Sequence, residues 1–81
     1  MDEETVKSRL TAVFRNVFDD DDIELSDGTT ADDIEAWDSL EHITLISAVE
    51  KEFKMRFTMK EVSGMKNVGE MMNIIAERAK K

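Results

Sequence analysis

The sequence predicts an all-α protein, a four-helix bundle with a long loop between helices 1 and 2 and a short third helix. Three observations carry that prediction. Apolar residues recur at three- and four-residue steps in separate segments of the chain, which lays them along single helix faces. A residue able to cap a helix stands three positions before a Glu at Asp38, Thr58 and Asn67. Nowhere do apolar and polar residues alternate as they would in a half-buried strand.

The first helix is expected between Glu3 and Phe18, where Val6, Leu10, Val13, Phe14 and Val17 share a face and Asp2, Glu3 and Glu4 suit the positive end of the helix dipole. From Asp19 to Glu41 the pattern changes to eleven acids with no Lys or Arg, and Ser26, Asp27 and Gly28 favour a turn. A connection this long inside a small domain is either functional or disordered; Ile23, Leu25 and Ile34 are spaced to pin it to a core, which predicts an ordered loop.

Asp38 with Glu41 then opens a second helix whose apolar positions are read as Leu40, Ile43, Ile46, Val49 and Phe53, ending near Glu52 or Phe53. Thr58 with Glu61 starts a short segment holding Met59 and Val62, which Ser63 and Gly64 close after about one turn. Asn67 with Glu70 starts the last helix. It is expected to bury Val68, Met71, Met72, Ile75 and Ala79 and to carry Arg78, Lys80 and Lys81 where cations favour a helix C-terminus.

Eighty-one residues leave room for one modest core, so residues 1-81 are read as a single domain. A hydrophobic fraction of 41% suffices for a globular fold, and 37% charged residues with a net charge of -8 make the surface strongly acidic. That field repels phosphate backbones and anionic headgroups and is steered towards Lys- and Arg-rich protein surfaces, which argues against nucleic acid as a partner. The N-terminal Met1, Asp2, Glu3 and Glu4 do not form a secretory signal, and no uncharged run is long enough for membrane insertion; a monomer in a cytoplasmic setting is the expectation. With no cysteine in the chain, thioester chemistry would need an imported sulfur.

The segment Ile34, Glu35, Ala36, Trp37, Asp38, Ser39, Leu40, Glu41, His42, Ile43, continued by Glu50, Lys51, Glu52 and Phe53, resembles the phosphopantetheine attachment region of acyl carrier proteins, whose hallmark is Asp-Ser-Leu. The resemblance extends over nearly the whole chain in length, helix order and acidic loop. It implies a carrier protein rather than an enzyme, with 4′-phosphopantetheine attached to Ser39 and acyl groups held on it as thioesters. It also implies a phosphopantetheinyl transferase and acyl-activating and acyl-transferring enzymes with basic docking patches as partners. No metal site of the chain's own is implied.

Local physics agrees with that placement. A serine at the first helical position, beside an Asp38 cap, faces solvent near unpaired backbone N–H groups and the positive end of the dipole, which would stabilise a phosphodiester. Leu40 is expected to turn inward and fix the helix. Glu35, Trp37, Glu41 and Glu50 are candidates for partner recognition; the acids fit a solvated face equally well, and for Trp37 a lid packed on the bundle is the favoured reading, as for large aromatics generally. Leu40, Ile43, Ile46, Val49, Phe53, Met59, Val62, Met65, Val68 and Met71 are candidates for an acyl-chain pocket or for plain core, the thioethers being able to repack around a guest.

Departures from the fatty-acid-synthesis pattern narrow the resemblance. Ala36 stands where those carriers have Gly, Trp37 where they have a small residue, and Thr44 and Lys51 where acids are common. Trp37 before Asp-Ser-Leu, with His42 and Ile43 after it, looks more like specialised stand-alone carriers of secondary-metabolite, lipid-modification or polysaccharide pathways. An aminoacyl or peptidyl carrier of nonribosomal or D-alanylation type shares the serine and fold, and a helical adaptor without a prosthetic group shares the helix pattern. Catalysis by Ser39 with His42 lacks an orienting third group and an oxyanion hole. A calcium loop starting at Asp20 would need Gly at Leu25, and one starting at Asp22 would need Gly at Asp27.

Overall fold

Four α-helices form where the capping and periodicity signals place them. The computed structural model describes residues 2–79; Lys80 and Lys81, expected in the last helical turn, lie outside the described residues. Helix α1 spans Glu3–Phe18, α2 Ser39–Phe53, α3 Met59–Gly64 and α4 Val68–Arg78, and the described residues include no strand. Each helix begins on a side-chain cap. Asp2 accepts from the Thr5 N–H, Asp38 from Glu41, Thr58 from Glu61 and Asn67 from Glu70, satisfying one orphan donor apiece. Only at α3 does the Glu reach back to close a full capping box; Glu70 instead accepts from the Lys66 N–H.

Helix α1 packs against both α2 and α4. Its Val6, Leu10 and Phe14 meet Leu45, Val49 and Phe53 of α2 and Val68, Met71 and Ile75 of α4 in one core, which Ile23, Leu25, Ile46, Met55 and Met72 complete. Val13, Val17 and Ala79, expected inside, are only partly buried against it. The buried face of α2 corrects the sequence reading. Leu45 is fully buried, while Leu40 and Ile43 are 74% and 62% exposed; on α3, Met59 is 83% exposed.

The long acidic connection is ordered, and it contains a 3₁₀ turn, Ala31–Asp33, capped by Thr30. Ile23 and Leu25 anchor it as expected, and buried Thr29 ties it down from the polar side through Ser26. Its middle is stitched to the start of α4, with the Val68 N–H donating to the Thr29 carbonyl at 2.8 Å and the Gly69 N–H to the Asp27 carbonyl at 2.9 Å. Glycine is required there by this close approach. A Cβ on Gly69 would sit 2.8 Å from the Asp27 carbonyl oxygen, a backbone atom that moves only with the loop. Gly69→Ala is therefore expected to lower stability by about 1–3 kcal/mol, read from urea denaturation, with Gly64→Ala, whose Cβ would meet nothing, as the mild comparison.

Arg78 closes the far end of the bundle by donating to the Glu61 carboxylate. That bond first, and the Thr58 N–H second, hold the Glu61 carboxyl below its ordinary range. A carboxylate depressed in the folded state contributes stability that is complete above its unfolded pKa and is lost as pH falls through the folded one. Glu61→Gln is thus expected to lower Tm at neutral pH, and the gap from wild type should close as pH is taken below about 4 in parallel melts.

Candidate functional site

Ser39 is the first residue of α2 and is exposed. Asp38 before it has extended backbone, and its carboxylate accepts from the Glu41 N–H at 2.8 Å while its carbonyl accepts from His42. The cap thus fixes the helix start and leaves the serine hydroxyl facing solvent beside the positive end of the dipole. An open cleft of about 490 Å³ adjoins it, lined by Ser39, His42 and Ile43 of α2, Val62 of α3, Met65 of the next connection and Met71 of α4. Ala31, Trp37, Asp38, Ser63, Lys66 and Asn67 complete its walls. Larger hollows lie along α1, under the acidic loop, at the end of α2 and between α1 and α2, but none of these four holds a hydroxyl at the first turn of a helix.

The structure brings together four of the ten residues read as a pocket: Ile43, Val62, Met65 and Met71 share the cleft. Ile46, Val49, Phe53 and Val68 belong to the closed core instead. Leu40 and Met59 belong to neither; both side chains face solvent, so Leu40 does not turn inward to fix the helix. Of the residues read as recognition surface, Glu35 is exposed and Glu41 is half-buried. Glu50 is engaged internally, its carboxylate accepting from the Phe57 N–H at 2.9 Å and bracing the connection between α2 and α3.

Of the two readings open for Trp37, the structure has the favoured one, a packed lid, and not an exposed contact. It is 9% exposed, meets Phe14 edge to face with ring centroids 5.2 Å apart, and lies 6.3 Å from the Phe18 ring. Its indole N–H donates to Nδ1 of His42 at 3.0 Å, and the two rings stack at 5.9 Å. The sequence reading did not anticipate this link between Trp37 and His42. A donor-only indole five residues before an imidazole was the available signal.

No group of three or more His, Cys, Asp or Glu among the described residues is arranged to hold a metal ion, and no helix among them is long and apolar enough to cross a membrane. The fold and the site define a small helical bundle that presents a hydroxyl at a capped helix start. It is similar to the solution structure of a holo acyl carrier protein from Geobacter metallireducens, at 42% sequence identity and a TM-score of 0.85, over 90% of this chain and 84% of that one. The chain belongs to the acyl carrier protein family, and so to carriers rather than enzymes. No protein-family model matches it, and neither does any curated protein.

Proposed function

We propose that this chain holds acyl groups as thioesters on a 4′-phosphopantetheine arm attached to the Ser39 hydroxyl and passes them between enzymes of a fatty-acid, polyketide or lipid- or polysaccharide-modifying pathway in the cytoplasm, a specialised pathway rather than the housekeeping one. The observation that carries the reading is the exposed Ser39 at the start of α2, capped by Asp38 and opening onto the cleft. When bound, the arm supplies the thiol that a chain without cysteine lacks. The residues fit such a group. Ser39 offers an accessible hydroxyl for a phosphodiester, and the remaining first-turn N–H groups of α2 face its negative charge. Ile43, Val62, Met65 and Met71 offer apolar wall to an acyl chain lying in the cleft. The specialised pathway rests on Ala36, Trp37, Thr44 and Lys51, which depart from the fatty-acid-synthesis pattern.

Incubation with coenzyme A, Mg²⁺ and a broad-specificity phosphopantetheinyl transferase, read by intact mass, should give a single adduct. An unmodified chain would return the helical-adaptor reading. Glu35, Asp38 and Glu41, with exposed Leu40 among them, form the face offered to a basic partner surface. Glu41→Lys should slow arm attachment several-fold at low salt and much less at high salt, because charges at an interface rim act mainly on encounter rates. Unchanged kinetics in a variant of normal helix content would remove Glu41 from that face.

A further inference from the structure

His42 lies between two groups that each dictate one edge of its ring. The indole N–H of Trp37 can only donate, and it donates to Nδ1 at 3.0 Å; the Val62 carbonyl can only accept, and it lies 3.3 Å from Nε2. A neutral imidazole with its proton on Nε2 satisfies both partners. The other neutral tautomer satisfies neither. The imidazolium keeps the Val62 bond but sets a second N–H against the indole N–H, so the bond to Trp37 is the one that protonation breaks.

We propose that His42 is a proton-sensitive positioning residue: neutral, it clasps Trp37 to α3 and holds one wall of the cleft beside Ser39, and on taking up a proton it releases Trp37. The relevance of that wall to cargo rests on the carrier reading above; the clasp does not. Trp37 directly precedes Asp38 and Ser39, so freeing its indole acts at the edge of the site and on a side chain that also lines the cleft. The Trp37 ring stacks on His42 and is itself backed by Phe14 and Phe18 of α1, the Val62 carbonyl of α3 meets Nε2, and Ser63 of α3 and Met71 of α4 line the same cleft. The charged groups lining the cleft with it are Asp38, from the turn before α2, and Lys66, from the connection before α4. Glu41 is its half-buried neighbour on α2.

Trp37 is the chain's single tryptophan, so every indole signal comes from this residue. The experiment is a titration of ¹⁵N-labelled, unmodified protein from pH 8 downwards, carried on until the His42 ring resonances stop moving. At pH 8 the His42 ring should carry its proton on Nε2. As pH falls, the Trp37 indole N–H resonance should shift upfield and its emission should be lost along the same one-proton curve as the His42 ring. In His42→Gln, whose amide can accept from the indole and donate to the Val62 carbonyl without titrating, the indole resonance should hold its pH 8 position throughout. A ring protonated on Nδ1 at pH 8, indole signals that do not follow His42, or signals that titrate equally in His42→Gln would each overturn the proposal. Should the Gln variant not fold, the wild-type tautomer and the shared curve decide it. Ser39→Ala should give the same curve as wild type. Failure of the transferase to modify the protein would sink the carrier reading and leave this titration standing, so the two failures are distinguishable.

Discussion

Ser39→Ala is expected to yield a folded protein that takes up no phosphopantetheine, the largest functional effect of any single substitution in the chain. The loss is complete because Ala lacks the one atom through which the arm would be joined. Folding is spared for three reasons. The Ser39 side chain is exposed, the cap is made by Asp38 and not by the serine, and Ala is the best helix former for the vacated position. Stability should stay within about 0.5 kcal/mol of wild type, as for surface changes that touch no cap or core. Intact mass after the transferase reaction, taken alongside circular dichroism, checks both halves. A variant still carrying one adduct would move the attachment elsewhere.

Phe14→Ala should have the largest effect on the fold. Phe14 is fully buried at the centre of the core, and its ring supports both Phe18, at 5.8 Å, and Trp37, at 5.2 Å. Truncating a buried Phe costs about 3–5 kcal/mol through lost transfer energy and the cavity left behind. Net stabilities run from about 5 to 15 kcal/mol, and a domain this small sits low in that range. A fall in Tm of roughly 15–30 °C is expected from thermal melts, with loss of the near-ultraviolet signal of Trp37 as its packing partner disappears. A drop of only a few degrees would mean that the aromatic cluster does not organise the core.

The helices were legible because caps and apolar steps are local. Asp38, Thr58 and Asn67 each accept the hydrogen bond their spacing announced. The face of α2 was misjudged for a geometric reason. Each residue turns an α-helix by about 100°, so a run of three-residue steps winds backwards round the axis by about 60° per step. Leu40 therefore points well away from Ile46, and Leu45 takes the buried place. Met59 stands at the exposed start of a short helix that buries no residue fully.

Other features depend on contacts distant in sequence. The approach of Asp27 to Gly69, the bracing of Phe57 by Glu50 and the reach of His42 to Val62 join segments that carry no shared pattern. The left-handed residues that end α1 and α2 are Asp19 and Lys54, where a glycine would have been the readable sign. At the site, Asp38 and Ser39 could be read from the chain, whereas the cleft could be read only in part. Its walls come from α2, α3, α4 and their connections, and Ala31, Lys66 and Asn67 reach it only once the bundle is assembled.

Peptide mapping by tandem mass spectrometry, after reaction of the wild-type protein with coenzyme A and a phosphopantetheinyl transferase, probes the attachment point itself. The arm should be found on the peptide containing Ser39 and on no other. A chain left bare by a transferase that modifies a control carrier, or an arm found on a different hydroxyl, would contradict the assignment.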